Sequence, residues 1–290
     1  MKKFLLSLAL LSSALLGAFE YRIVCGKYDV TITETYKHTI RIFKYDGYTV
    51  GPKTGFYGTI VVNKSGGYIG AGHKEGGVEK VLSVKLTVDG KVVTPQAKAV
   101  FTAKQSAVLE KISRFDNAIF NIRLIFSPEA VIEQKRFVTV AEQKFHSFYC
   151  HQYCWDSKTT HWFALDDAGK KLAGKFNGKR GAWHCNKTVK YIAQYNADKK
   201  SGILMYYPQI IPGALRRSTI WEIPKSYNKY YMITKVPKVC QAGFNSPEYT
   251  VVLRGFAADS PASCPAVLDA EANKASKIKI EPMPEVEVPK

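Results

Sequence analysis

Residues 82–90 read Leu-Ser-Val-Lys-Leu-Thr-Val-Asp-Gly, and this stretch decides the fold class of the chain. Apolar and polar side chains alternate from Leu82 to Val88, which is the period of a strand with one buried face. The Asp89-Gly90 pair that follows is a preferred sequence for the tight turn of a β-hairpin. The stretch therefore predicts two antiparallel strands joined at Asp89-Gly90.

The same alternation recurs along the rest of the chain. One face of a further strand carries the apolar residues Phe120, Ile122, Leu124 and Phe126. Other segments with a strand pattern are separated by turn residues, and they are 29–36, 38–45, 56–63, 131–140, 145–153, 191–196, 203–207 and 249–256. Helical periodicity is confined to 265–277. We therefore predict an all-β fold, a large antiparallel β-sandwich with few short helices, and not a doubly wound or TIM-barrel fold.

The composition supports a folded chain with one main domain. Hydrophobic residues make up 46% of the 290 residues, which is enough to bury a large core. We predict a single sandwich domain over 19–264, followed by a short helix and an extended tail over 265–290. Prolines at positions 282, 284 and 289 block a helix in that tail, so we expect a disordered end.

The N-terminus has the pattern of a secretory signal peptide. Two lysines precede an apolar run from Phe4 to Leu16, which is shorter than the ~20 residues that span a bilayer. Small residues near Ala18 suit signal-peptidase cleavage. We predict a signal peptide over 1–18 and a mature protein that is secreted or periplasmic, with no membrane span.

Export also bears on the 6 cysteines, because an even number in an exported chain points to disulfides. If 144–155 form a strand, Cys150 and Cys154 lie about 13 Å apart, too far to bridge each other. Cys185 is a natural partner for one of them, and a Cys240–Cys264 bridge is plausible. A zinc site built from some of these residues is disfavoured, and no motif predicts another cofactor.

A glycine-rich segment, 66–77, is the first candidate site. It brackets His73 and Glu75, which face the same side of an extended chain. They could act as an acid–base pair or hydrogen-bond to sugar hydroxyls. The alternative is a hairpin turn with solvated charges.

The second candidate site is the aromatic and histidine-rich segment 145–162. In a regular strand Tyr149, His151 and Tyr153 share a face, and Trp162 and Trp183 could supply rings that stack on sugars. The alternative is a disulfide-linked edge of the core with satisfied histidines.

The charge favours an anionic partner. Lysine and arginine number 42 against 24 acidic residues, giving a net charge of +18. A basic stretch over 170–190 includes Arg180 among aromatic residues. Because the chain is predicted to be exported, an acidic polysaccharide or anionic cell surface is favoured over nucleic acid, and a solubilising face is the alternative.

The order of segments resembles a known family. Four segments with their intervening turns resemble the antiparallel run of galactose-mutarotase-like supersandwich domains. They are 162–165, 171–176, 190–195 and 202–204. The resemblance covers about residues 80–256. It implies a carbohydrate-handling all-β domain of the kind found in sugar epimerases and polysaccharide lyases.

The sequence thus predicts a protein that handles an acidic polysaccharide, either as an enzyme or as a non-catalytic glycan- or envelope-binding module. The enzyme hypothesis is β-elimination on a uronate polymer, which needs a base, an acid and a group that neutralises the carboxylate. His151 or His73 could be the base, Tyr149 or Tyr195 the acid, and Arg180 the neutralising cation. A scaffold with no pocket is a third possibility.

Overall fold

The structure is a computed structural model that describes residues 19–53, 58–63, 66–70, 79–209, 216–234 and 236–286. Within these ranges the chain forms 22 strands and one helix, α1 (Cys264–Ser276). In chain order the strands are β1 (Glu20–Cys25), β2 (Tyr28–Thr33), β3 (Thr39–Tyr45), β4 (Tyr48–Gly51), β5 (Gly58–Asn63), β6 (Tyr68–Gly70), β7 (Lys80–Val88), β8 (Lys91–Val93), β9 (Val100–Ala103), β10 (Ala107–Phe115), β11 (Ala118–Phe126), β12 (Val131–Thr139), β13 (Gln143–Asp156), β14 (His161–Asp166), β15 (Lys171–Lys175), β16 (Trp183–Lys187), β17 (Val189–Asn196), β18 (Ser201–Tyr206), β19 (Arg216–Ile223), β20 (Tyr227–Thr234), β21 (Val239–Cys240) and β22 (Tyr249–Ala257).

These strands form three sheets. The largest is ten-stranded, in the order β15-β14-β17-β18-β22-β12-β11-β10-β7-β8. A seven-stranded sheet has the order β16-β19-β20-β13-β5-β6, with β21 paired to the start of β13, and a five-stranded sheet has the order β4-β3-β2-β1-β9. Neighbouring strands run antiparallel, except that β1 and β9 are parallel. The predicted all-β fold is confirmed.

The hairpin predicted from residues 82–90 is present as β7 and β8. Asp89 and Gly90 have φ angles of 46° and 80°, the left-handed conformation that a two-residue hairpin turn of this type requires. The Asp89 carboxylate accepts hydrogen bonds from the backbone N–H groups of Lys104, Gln105 and Ser106, at 2.8, 2.8 and 3.0 Å. This turn therefore also holds the segment that leads into β10.

One hydrophobic cluster contains buried residues from all three sheets. Phe120 of the ten-stranded sheet lies 5.8 Å, between ring centroids, from Phe148 of the seven-stranded sheet. Phe43 of the five-stranded sheet lies 5.7 Å from Trp155. The two smaller sheets therefore pack against the inner side of the ten-stranded sheet. Burying one such aromatic side chain contributes roughly 2–3 kcal/mol, so this shared core accounts for the packing of the layers.

Helix α1 and the residues after it pack on the outer side of the ten-stranded sheet. Leu268 of α1 belongs to a buried cluster with Leu204 and Phe256, and Arg254 pairs with Glu271 at 2.6 Å. The residues after α1, as far as 286, form neither helix nor strand. Instead of being a disordered end this tail packs on the sheet as far as residue 286, with Met283 and Val286 buried.

Candidate functional site

Four aromatic side chains form a continuous run on the outer side of the seven-stranded sheet. Trp183 (β16) stacks on Trp221 (β19) at 5.8 Å between ring centroids, with 14° between the ring planes. Trp183 also lies 6.1 Å from Tyr231 (β20), and Tyr231 lies 5.3 Å from Tyr149 (β13). We call this surface the aromatic face. These distances are within the range of direct aromatic contact.

Strand alternation places these rings on the outer side. In β20, Tyr230 belongs to the shared core and its hydroxyl contacts Ser218 at 2.8 Å, so the neighbouring Tyr231 points outward. In β19, Ile220 is likewise in the core and Trp221 is outside. Trp183 and Trp221 are directly opposite in the β16–β19 register, which brings their rings together.

The aromatic face is open at one edge and buried at its centre. Trp183 is 59% exposed, whereas Tyr231 is 9% exposed. Tyr149 is half-buried. Burial, and then the neighbouring Tyr68, raise the pKa of Tyr149, so its hydroxyl stays protonated at neutral pH and can donate a hydrogen bond. The face therefore combines ring surfaces with a hydroxyl donor.

Positive charges lie among and beside these rings. The Lys229 ammonium is 5.3 Å from the centroid of the Tyr231 ring, a cation–π distance. The exposed Arg217 acts on Tyr149 electrostatically, lowering its pKa against the larger effect of burial. Arg180 is exposed and adjoins Gly181, which lies against the Trp221 indole, so Arg180 lies beside the same surface. The aromatic face is therefore bordered by cations.

A β-bulge in β13 separates Tyr149 from His151. The register of β13 against β20 shifts between these two residues, with Cys150 as the extra residue. As a result Tyr149 points outward and His151 points between the sheets. The prediction that Tyr149, His151 and Tyr153 share one face is wrong, because it assumed a regular strand.

His151 belongs to a buried polar cluster between the seven- and ten-stranded sheets. Its Nδ1 lies 3.1 Å from a Glu133 carboxylate oxygen, and the Tyr153 hydroxyl donates to the same carboxylate. The Lys135 ammonium pairs with Glu133 at 3.0 Å and donates to the Cys150 carbonyl at 2.7 Å. All of these side chains are buried.

The electrostatics of this cluster favour a neutral histidine beside an ionised acid. Burial, and then the Lys135 charge, lower the pKa of His151 from 6.5 to about 4. Burial alone would raise the pKa of Glu133, but the Lys135 charge and hydrogen bonds from His151 and Tyr153 bring it well below its usual value. The cluster is a buried ion pair within the core, in which the Nε2 of His151 has no hydrogen-bond partner, and a sugar would not reach it from the aromatic face.

A second buried ion pair lies nearby. Lys111 and Glu79 are 2.7 Å apart, and Lys111 also donates to the Lys37 carbonyl at 2.7 Å. A cavity of about 20 Å³, lined by His38, Glu79, Lys111 and Glu133 among others, lies between the two pairs. That volume suits one water molecule and is too small for a sugar ring.

The structure brings together some predicted site residues and separates others. Tyr149, Trp183 and Arg180 lie at or beside the aromatic face, whereas His151 lies behind it. Tyr195 (β17) is on the ten-stranded sheet, where its hydroxyl donates to the Ala258 carbonyl at 2.7 Å.

Trp162 (β14) is also on the ten-stranded sheet, half-buried against Gly174. His73 and Glu75 lie outside the described residues. Among the described residues, His151 therefore shares a face with neither Tyr149 nor Tyr195, the two residues proposed as the acid.

Three residues of the aromatic face were missed in the sequence: Trp221, Tyr231 and Lys229. The signal that could have found them is the alternation in 216–223 and 227–234, where outward aromatic or basic residues alternate with core residues. Neither segment is among the strands predicted from the sequence above.

The predicted disulfides are not formed, and all six cysteines are thiols. Two strands lie between Cys185 on β16 and the cysteines of β13, a separation of about 14 Å, which exceeds the limit for a bridge. Cys240 is in the shared core and Cys264 is under α1 on the outer side, so the ten-stranded sheet lies between them. Burial raises the pKa of Cys185, Cys240 and Cys264 to about 11 each.

The residues that the structure describes contain no group of metal ligands and no membrane-spanning helix. No three histidine, cysteine, aspartate or glutamate side chains in these ranges are placed to hold a metal ion together. In the same part of the chain, no helix has the length and hydropathy needed to cross a membrane.

Comparison with solved structures identifies the fold. The galactosidase domain of the α-galactosidase-sucrose kinase AgaSK matches 81% of this chain and 40% of its own, with 6% identity and a TM-score of 0.52. A putative aldose 1-epimerase from Escherichia coli K12 matches 83% of this chain and 100% of its own, with 8% identity and a TM-score of 0.49. A galactose mutarotase-like protein from Clostridium acetobutylicum matches 81% and 94%, with 10% identity and a TM-score of 0.45.

The predicted large antiparallel β-sandwich is confirmed as the fold class, and it is similar to part of the AgaSK galactosidase domain. At these identities the similarity concerns the fold alone, and the chain spans less than half of the AgaSK galactosidase chain. No protein-family model matches the chain, and no curated protein matches its sequence.

Proposed function

We propose that the protein binds a carbohydrate chain on its aromatic face. The observation that carries this proposal is the continuous run of Trp221, Trp183, Tyr231 and Tyr149 across four strands of one sheet. Aromatic rings offer flat apolar surfaces on which the apolar sides of sugar rings can stack, while neighbouring polar groups orient the hydroxyls. The sugar-related names of the AgaSK galactosidase domain and the aldose 1-epimerase agree with this role.

The charges favour an acidic polysaccharide or an anionic cell surface as the partner. Arg180 and Arg217 are exposed beside the rings, and Lys229 lies over Tyr231. A net charge of +18 over the chain increases the local concentration of polyanions. Carboxylates of a uronate chain would meet the exposed Arg180 and Arg217 while its rings meet the aromatic side chains, whereas Lys229 is buried against Tyr231.

Binding without turnover is the form of this function that the geometry supports best. The proposed base His151 is buried on the inner side of the sheet, and the proposed acid Tyr195 lies on another sheet. β-Elimination would therefore need groups other than these on the aromatic face. The same experiment can measure both binding and turnover.

The test uses polygalacturonate and its methyl ester, a matched polymer pair that differs in charge. We expect the parent protein to bind polygalacturonate more tightly, with an affinity that falls as salt is added. Trp183→Ala should weaken binding about tenfold or more, as expected for an exposed ring that stacks on the ligand. Val92→Ala, at an exposed position on β8, is the control and should bind as the parent does.

Four results distinguish the possibilities. Binding to neither polymer would overturn the proposal, and so would full binding by the Trp183→Ala variant. Equal binding to both polymers would retain carbohydrate binding and remove the preference for acidic chains. Absorbance from an unsaturated uronate product would establish β-elimination in place of binding alone.

We also propose that the chain is exported after cleavage near Ala18, because of its basic and apolar N-terminal pattern. Expression with the native N-terminus, followed by fractionation and N-terminal sequencing, tests this. A cytoplasmic protein that retains Met1 would contradict it.

A further inference from the structure

The segment 177–182 connects β15 to β16 and carries two exposed cations, Lys179 and Arg180. We call it the basic loop. Gly181 of this loop packs against the indole of Trp221, so the loop borders the aromatic face. Gly178 and Gly181 have φ angles of 73° and 82°, which favour glycine. The loop therefore has a specific conformation next to the proposed binding surface.

One residue, Glu222 of β19, makes hydrogen bonds along most of this loop. Its buried carboxylate accepts hydrogen bonds from the backbone N–H groups of Asn177 and Gly178, at 3.2 and 2.6 Å. Its own backbone N–H donates to the Ala182 carbonyl, and its carbonyl accepts from the Gly181 N–H, both at 2.9 Å. Both ends of the loop are thus fixed to a single strand position.

His184 completes the arrangement from the next strand. Its Nε2 lies 2.7 Å from a Glu222 carboxylate oxygen. A carboxylate can only accept a hydrogen bond, so the imidazole donates through Nε2. The ring of His184 also packs edge-on against Phe176 at 5.1 Å between centroids. The Glu222 oxygen that accepts from the Asn177 N–H therefore also accepts from His184, which fixes the position of the carboxylate.

We infer that Glu222 is a positioning residue that sets the preference of the aromatic face for acidic chains. It does so by holding the basic loop where Arg180 and Lys179 meet the carboxylates of the bound chain. This inference rests on the proposed function, because it concerns the selectivity of that same surface. Glu222 itself lies below the loop and does not touch the ligand.

The test compares polygalacturonate with its methyl ester for the Glu222→Gln variant. Glutamine keeps the size of the side chain but weakens the charge-assisted hydrogen bonds to the loop. We expect about tenfold weaker binding to polygalacturonate and a shallower salt dependence, with binding to the methyl ester unchanged. Glu271→Gln, which removes a paired carboxylate on the other side of the molecule, should leave both affinities unchanged.

A double variant tests the route through Arg180. If Glu222 acts by positioning Arg180, then Glu222→Gln should add little to the loss caused by Arg180→Ala. Gly178→Ala disturbs the same loop without changing Glu222, because an alanine disfavours a φ of 73°. It should reproduce the selective loss even if Glu222→Gln folds poorly.

This inference would be overturned if Glu222→Gln and Gly178→Ala weakened binding to both polymers equally. It would also be overturned if the losses of binding free energy from Glu222→Gln and Arg180→Ala were fully additive. Either result would leave the proposed function in place. Absence of binding by the parent protein would instead overturn the proposed function.

Discussion

Acidification should destabilise this protein through His151 before any carboxylate is protonated. His151 is fully buried, and its pKa is about 4 in the folded protein against 6.5 in the unfolded chain. Between these values the unfolded chain binds a proton that the folded protein does not bind. The stabilisation from a neutral His151 is thus complete above pH 6.5 and is lost as the pH falls towards 4.

The size of the effect follows from that difference in pKa. Lowering the pH from 7 to 5 stabilises the unfolded chain relative to the folded protein by about 2 kcal/mol, through protonation of this one histidine. Glu133, whose pKa is lowered in the folded protein, contributes in a lower range, as the pH falls below the usual value of 4.5. The change in unfolding free energy between pH 7 and pH 5 therefore reports histidine protonation and not carboxylate protonation.

The measurement is urea unfolding at pH 7 and pH 5 for the parent and the His151→Gln variant. Glutamine can still donate a hydrogen bond to Glu133 but does not titrate. We expect the parent to lose about 2 kcal/mol more than His151→Gln over this interval, even though His38 contributes in the same direction in both proteins. His146→Gln, at an exposed position on the same strand, is the control and should lose as much as the parent.

An equal loss in parent and His151→Gln would refute the reasoning. It would mean that His151 is protonated in the folded protein or reaches solvent, and that the cluster with Glu133 and Lys135 is not the buried arrangement described above.

Three further predictions follow from other contacts. Lys135→Met leaves the Glu133 carboxylate without its buried cation and should destabilise the fold by about 3–5 kcal/mol, measured by urea unfolding; a loss below about 1 kcal/mol would contradict the ion pair. Gly255→Ala places a methyl group 2.1 Å from the ring of Tyr45 and should destabilise the fold by about 1–3 kcal/mol through this clash, measured by urea unfolding. Gly47→Ala meets no atom within 4 Å and should cost only the strain of its φ of 76°. A loss for Gly255→Ala no larger than that for Gly47→Ala would contradict the close packing on Tyr45. Buried thiols are present at Cys25, Cys150, Cys240 and Cys264, so a thiol reagent should label them only after unfolding. A reductant should leave the melting temperature unchanged. A lower melting temperature in reductant would reveal a disulfide.

Local sequence patterns were sufficient for the fold class and for many of the strands, but not for β19 and β20 or for the distortions of the sheets. The alternation in 82–88 and the Asp89-Gly90 turn predict β7 and β8 because hairpin chemistry is contained in neighbouring residues. The bulge at Cys150 has no such local signal. It depends on Lys135, which comes from another strand and satisfies the carbonyl of the extra residue.

The candidate site was predictable in its chemistry and only partly in its position. Aromatic residues beside basic ones led to the prediction of a sugar-binding surface, and Tyr149, Trp183 and Arg180 lie at or beside the aromatic face that we propose for that role. His151 could not be placed, because its burial depends on Glu133 and Lys135 from the facing sheet. Trp221 and Tyr231 join the site through strand pairing, which the sequence does not specify over such separations.

The bulge at Cys150 links the stability of the core to the surface proposed to bind carbohydrate. In a regular strand Tyr149 and His151 would point to the same side, and the run of rings would end at Tyr231. A bulge leaves the extra residue outside the normal ladder, and here the Lys135 ammonium donates to its carbonyl while pairing with Glu133. The buried ion pair thus holds the distortion that turns Tyr149 outward and His151 inward. It follows that a polar cluster inaccessible to any sugar helps to shape the aromatic face, and that the acid–base groups of this strand serve the fold.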